Sequence, residues 1–365
     1  MNKVPLSLYV HLPWCETQCP YCDFSITTDP VNDNDAKLAK AIIKDINQSK
    51  NLVAGRKFKT IYFGGGTPSL ASTESIKHIL DSIKDRFSYK EAEITLEMNP
   101  SDVSGDRIDE LLMAGINRIS LGIQSYNNQE LQALGRNHDQ ESAIRATQAL
   151  EGINSTIDLI YGIEKQTPKS FTANLERIIQ SNINHLSLYQ LTIEPNTIFY
   201  KKELKLPSEE EIEKIELIAK DLLEKNGYKQ YEVSSWSKPG YESQHNMNYW
   251  QFGDFLGVGP GSHSKISNEE EIIRFRKNKP LEGYIQNQRS TDLKTISDND
   301  LDMDLAMNLL RIKNGLQKED LTINLPASFL KKYQNGIDKG LLLKDRIGAT
   351  PKGYRFLNET IQLFF

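Results

Sequence analysis

Short runs rich in β-branched and aromatic residues recur along the chain, and most are followed by a stretch whose apolar positions repeat at helical spacing. The runs predict strands at Leu6 to Leu12, Thr60 to Phe63, Glu93 to Glu97, Arg118 to Gln124, Thr156 to Tyr161 and His185 to Leu191. Between them, Asp35 to Ser49, Thr73 to Phe87, Gly105 to Ala114 and Lys169 to Ser181 predict amphipathic helices. Strand and helix alternating in this way specify parallel β/α units. Six units predict an α/β barrel that is incomplete or is finished by other elements.

Polar residues fall at the ends of these strands. The first run enters Cys15, Cys19 and Cys22, and the second enters Gly64-Gly65-Gly66-Thr67-Pro68. The third ends at Glu97 and the fourth at Gln124-Ser125; the fifth passes through Asp158 to Gly162, and the sixth through Gln190 to Glu194. In β/α barrels the C-terminal strand ends carry the active site. Six strands bringing polar groups to one rim exceed what a scaffold needs.

After Ser208 the pattern changes. Glu209 to Asn226 predicts a charged amphipathic helix. Tyr231 to His263 follows, dense in aromatics, Gly and Ser. From Asp298 short helical stretches lead to a hairpin-like segment, Leu341 to Thr350, and a last helix, a pattern like a small winged-helix module. The expected organisation is a β/α barrel over 1–208, a barrel-completing segment over 209–297 and a winged-helix-like unit over 298–365. The last unit has nearly balanced charge, which suits packing or a protein partner more than DNA.

Composition narrows the class. The chain has 365 residues, 38% of them hydrophobic, enough for a large core. A net charge of −5 speaks against nonspecific nucleic-acid binding. No run reaches the length of a membrane span, and the N-terminal apolar run is too short for a signal peptide. All three cysteines lie in one cluster, which is not a disulfide framework. The expected compartment is the cytoplasm, where thiols stay reduced.

The cysteines are spaced C-x3-C-x2-C with no fourth in the chain. Three thiolates can hold three irons of a [4Fe–4S] cluster and leave the fourth iron open. The alternatives are a zinc site borrowing His11 or a redox pair. The GGGTP turn lets backbone approach a ligand and offers amides to a polar group; no Lys-Ser/Thr follows, so it is not a nucleotide P-loop. Glu97, Gln124, Asp158 and Arg136 could each be structural. A strand-end carboxylate also suits a ribose hydroxyl or an ammonium, and an Arg suits a carboxylate. His245 is one of six histidines, and most lone histidines are structural. Its neighbours Asn246, Tyr249 and Trp250 form an aromatic and polar group suited to a flat macrocycle, and imidazole is a common axial ligand of haem iron.

Cys15, Cys19 and Cys22 together with GGGTP resemble the radical S-adenosylmethionine (SAM) superfamily. There the open iron binds SAM, and cluster reduction cleaves it to a 5′-deoxyadenosyl radical. SLYVHLPWCETQCPYCDF, EITLEMNP, NRISLGIQSYNNQELQALGRNHD, IDLIYGIEKQTP, LSLYQLTIEPNTIFY and HNMNYW resemble the coproporphyrinogen-oxidase-like branch, from about Pro5 to Ser264 and more loosely beyond. That branch holds oxygen-independent coproporphyrinogen III oxidases and the HemW-type haem chaperones. The oxidase carries a further Cys two residues after the third cluster ligand, where this chain has Phe24. The chaperone carries H-N-x-x-Y-W, present as His245, Asn246, Tyr249 and Trp250.

The resemblance implies cluster ligands at Cys15, Cys19 and Cys22 and SAM contacts at Tyr9, Gly65 and Glu97. Tyr21, Gly66, Thr67, Gln124, Arg136 and Asp158 match further SAM-contacting positions of the oxidase, whose second SAM is not needed by a chaperone. His245, Asn246, Tyr249 and Trp250 would bind haem. Glu164-Lys165 departs from the Pro-led pair of relatives, in the loop after the Asp158 strand. The implied function is a chaperone that carries haem to an acceptor protein, with the oxidase as the alternative; transient membrane association is compatible with either.

Overall fold

The strands expected from the sequence form one sheet because their side chains alternate between two environments. The computed structural model of the chain describes residues 4–29, 31–53, 55–85, 87–268, 271–286 and 294–365; Met1 to Lys3, the start of the run judged too short for a signal peptide, lie outside them. The first six strands are β1 (Leu6–Leu12), β2 (Phe58–Gly65), β3 (Glu93–Met98), β4 (Arg118–Gln124), β5 (Ser155–Tyr161) and β6 (His185–Gln190). They pair in parallel, each with its neighbour in sequence. One face of each strand is apolar: Leu8, Val10, Ile61, Phe63, Leu96, Ile119, Leu121 and Ile157 are essentially unexposed and join the main core. Each such side chain stabilises the fold by about 1.5–3 kcal/mol relative to exposure. Against this face lie helices that include Asn32–Gln48, Thr73–Lys84, Gly105–Ala114, Gln140–Ala149 and Pro168–Gln180.

The opposite, inner face is polar at every second residue, with Ser7, Thr60, Glu93, Thr95, Arg118, Ser120, Thr156, His185 and Ser187 all buried. Such residues face one another only if the sheet curls.

The later strands extend the sheet at both edges. β7 (Lys229–Gln230) and β8 (Ser235–Ser237) add antiparallel beside β6. β9 (Asp254–Val258) lies parallel to β1, and β10 (His263–Ser267), β11 (Ile272–Arg276) and β12 (Lys294–Thr295) continue antiparallel. The order is β12-β11-β10-β9-β1-β2-β3-β4-β5-β6-β8-β7, and the two end strands do not meet among the described residues. The fold is therefore an incomplete parallel β/α barrel with an α/β extension.

A second hydrophobic cluster forms around Leu305, Leu309, Phe329, Tyr333 and Phe364. It joins helices Asp298–Leu309 and Ala327–Asp338. The hairpin expected at Leu341 to Thr350 is present as the bridge Leu342↔Ala349, tied by the Tyr333 hydroxyl to Leu343 and Gly348, and Leu316 pairs with its second arm at Ile347. The last helix is broken into Pro351–Arg355 and Leu357–Ile361. Among the described residues, no helix is long and apolar enough to cross a membrane.

Candidate functional site

The inner face is layered. At the floor, buried Arg118 pairs with Glu93 at 3.1 Å and donates to Thr156 at 2.8 Å. The short helix Gln244–Trp250 closes this end: the backbone N–H groups of Gln244 and His245 donate to the Glu93 carboxylate at 3.2 and 3.0 Å. Above it, Thr60 donates to Ser7 at 2.7 Å and meets His245 Nδ1 at 2.7 Å.

The next layer holds the carboxylates. Tyr62 donates to Glu97 Oε1 at 2.8 Å, and the Gly65 backbone N–H donates to Oε2 at 3.1 Å. Burial pushes the Glu97 carboxyl up to about 7, against these two hydrogen bonds and with the help of nearby Asp158. Asp158 accepts from Ser120 at 2.9 Å and is also raised, chiefly by burial. At the end of β4, Gln124 has φ of 65°, a left-handed backbone conformation for a non-glycine residue at the cavity wall.

The rim carries the thiols. The cysteine loop is pinned by Cys15 N–H to Thr27 O at 2.9 Å, Thr27 N–H to Pro13 O at 2.8 Å and Thr67 N–H to Trp14 O at 2.6 Å, with Trp14 unexposed beneath it. The glycine run follows from this packing. A Cβ on Gly66 would lie 2.4 Å from the Trp14 carbonyl oxygen. One on Gly65, whose φ is 115°, would lie 2.5 Å from the His11 ring. The glycines thus bring the second loop against the first, besides exposing backbone to the cavity.

Cys15, Cys19 and Cys22 are half-buried free thiols that share a cavity of about 430 Å³ with Tyr21, Gly65, Gly66, Thr67, Glu97, Gln124, Arg136 and Asp158. The sequence separates these residues by up to 143 positions (Cys15 to Asp158), and the fold brings them together. Burial raises the Cys15 thiol and pushes Cys22 up to about 11, so iron would have to displace their protons. Arg136 donates to the Cys19 sulfur at 3.4 Å, and its buried Nε has no hydrogen-bond partner among the described residues.

This donor set fits a multi-iron cluster. Its three thiols line one cavity, and thiolates are the ligands that such a cluster takes. His11 does not complete a zinc site: its Nε2 meets Ser25 O at 2.8 Å and its Nδ1 meets the Tyr9 hydroxyl at 3.2 Å. Phe24, at the place of the oxidase's further Cys, is 63% exposed at the cavity wall.

Tyr9 is not on the cavity wall; it lies beside Tyr62, with ring centroids 6.2 Å apart. The HNMNYW residues are not there either. His245 is 2% exposed, its ring stacks on Tyr62 at 4.7 Å, and Tyr249 meets it edge-on at 5.1 Å. Thr60 gives its proton to Ser7, so His245 carries its own on Nδ1, and its buried Nε2 has no hydrogen-bond partner among the described residues. Burial lowers the imidazole to about 3, so the ring is neutral. In this conformation the expected axial ligand is enclosed, not open to a macrocycle. Asn246, Tyr249 and Trp250 are half-buried, and Arg311 lies over the Trp250 ring at 4.3 Å. Glu164-Lys165 turns with Lys165 at φ of 67° and leaves Asp158 at the cavity.

Sequence reasoning missed Tyr62, Thr60, Ser120 and the Glu93–Arg118 pair. The available signal was the period-2 polar pattern on strands otherwise buried on both faces.

Residues 9–178 match the Radical SAM superfamily. The chain is 37% identical over 371 residues to "Heme chaperone HemW" of Buchnera aphidicola subsp. Acyrthosiphon pisum, covering 99% of this chain and 98% of that one. It is 35% identical over 370 residues to "Heme chaperone HemW" of Escherichia coli, with the same coverage. The solved coproporphyrinogen III oxidase (HemN) of Escherichia coli superposes with a TM-score of 0.82 at 24% identity, over 100% of this chain and 91% of that one, a likeness of fold. On this full-length similarity, the chain belongs to the HemW haem chaperone family of radical SAM proteins.

Proposed function

We propose that this protein is a haem chaperone that binds haem and passes it to an acceptor protein, using a [4Fe–4S] cluster and SAM. The observation that carries the proposal is the similarity to HemW chaperones over 99% of the chain. Exposed Phe24, where the oxidase has a further Cys, supports it.

Cys15, Cys19 and Cys22 would hold three irons and leave the fourth facing the cavity. Bound there, the cluster and SAM supply one-electron chemistry. The protein's own part is positioning. Glu97, held by Tyr62 and Gly65, offers an anion to the SAM ammonium. Arg136 donates to the Cys19 sulfur and offers a cation to the SAM carboxylate. Gln124 and Asp158 offer polar groups to the nucleoside.

The test is haem titration of anaerobically reconstituted protein, with an assay for coproporphyrinogen III conversion run in parallel. Saturable haem binding without conversion is the expected result. Conversion to protoporphyrinogen would establish the oxidase alternative. Including His245→Ala separates the ligand from the function. Unchanged affinity and spectrum would remove His245 as haem ligand and leave haem binding standing.

A further inference from the structure

His245 has no contact with the cysteine cavity, yet it is joined to it through one residue. Its ring lies against Tyr62 with centroids 4.7 Å apart and planes 26° apart. The Tyr62 hydroxyl holds Glu97 at 2.8 Å. Thr60 fixes the imidazole from the side at 2.7 Å, and the Glu93 carboxylate receives the His245 backbone N–H at 3.0 Å. The column Thr60–His245–Tyr62–Glu97 thus runs from the barrel floor to the cavity wall. Tyr62 is a tyrosine on a strand, free to turn about its side-chain bonds unless its ring faces are filled. His245 fills one of them.

We infer that His245 is a positioning residue for the SAM site: its ring fixes Tyr62, and the Tyr62 hydroxyl fixes Glu97 toward the ligand. The inference rests on the assignment of Glu97 as the SAM-facing carboxylate. It gives the histidine of HNMNYW a task that needs no exposed face, and it explains why a buried imidazole stacks on a residue bonded to the cavity.

The experiment titrates SAM into the reduced, anaerobically reconstituted full-length protein. It reads the change in the electron paramagnetic resonance spectrum of the cluster, with iron and sulfide per chain measured alongside. His245→Leu keeps apolar volume but loses the aromatic face; His245→Phe keeps that face. Tyr62→Phe keeps its ring and loses the hydroxyl. His245→Leu and Tyr62→Phe are each expected to weaken SAM binding about tenfold, the scale of one hydrogen bond to a charged group, at unchanged cluster content. His245→Phe is expected to recover most of the affinity. The double variant His245→Leu/Tyr62→Phe is expected to be no weaker than Tyr62→Phe alone, because both act through one hydroxyl.

Wild-type affinity in His245→Leu would overturn the inference. So would equal weakness of His245→Phe and His245→Leu, or penalties that multiply in the double variant. If the wild-type cluster shows no response to SAM, the assignment of the cavity itself fails, and the inference with it; haem binding is untouched by that result.

Discussion

Glu97 sits half-buried near the end of β3 with its carboxyl pushed up to about 7, so near neutral pH it divides between a neutral and an anionic form. Only the anion attracts an ammonium. Protonation as pH falls below about 7 therefore removes the attraction, and SAM affinity is expected to rise with pH through that value. Glu97→Gln, neutral at every pH, is expected to bind SAM at least about tenfold more weakly and to flatten the profile, as read by titration at several pH values. At this scale the sequence showed the groups with unusual chemistry. Cys15, Cys19, Cys22 and Glu97 stand at strand ends, and each declares itself by residue type. Tyr62 and Thr60 do not, because a buried tyrosine or threonine on a strand is ordinary. Their part depends on partners 35 and 185 positions away, Glu97 and His245.

Among the elements, β9 is one of the later strands that the sequence concealed. Asp254–Val258 is short, bordered by glycines, and becomes a strand by pairing with β1 from the far end of the chain. The first six strands were legible because each predicted run holds β-branched, aromatic or other apolar residues over four or more positions. The helices after β4 were not, because Asn128–Ala133 is short and Gln140–Ala149 follows a polar stretch. What holds β9 is ionic as well as apolar. Asp254, unexposed, accepts from Arg56 at 2.7 Å and Lys265 at 2.9 Å, and from the Ser267 backbone and hydroxyl at 2.9 and 2.7 Å. Arg56 also reaches the Val4 carbonyl, so one carboxylate ties the N-terminus, the β9–β10 pair and the start of β2. Asp254→Ala leaves Lys265 buried without its anion and is expected to destabilise the fold by about 3–5 kcal/mol, measured by urea denaturation. Lys265 also lies over the Phe252 ring at 4.2 Å, which links this network to the second hydrophobic cluster.

For the molecule as a whole, the barrel and its motifs were legible, and the fate of HNMNYW was not. The motif suggested an open haem site, but the segment forms a helix that plugs the barrel floor, with His245 facing inward and Glu93 across its first N–H groups. Periodicity could not show this, since the helix packs against strands contributed by the first hundred residues. The outcome separates two regions: a cysteine cavity at one end of the strands and the HNMNYW helix at the other, joined by the Tyr62 column. The central activity proposed for this protein is the transfer of haem, and the most direct measurement loads the anaerobically reconstituted protein with haem and mixes it with an excess of an apo-haem protein. The absorbance spectrum of the acceptor is then followed. The account expects the haem spectrum to move from this protein to the acceptor, faster than by release of haem into solution. Haem that never binds, or transfer no faster than release from the carrier into buffer, would contradict it.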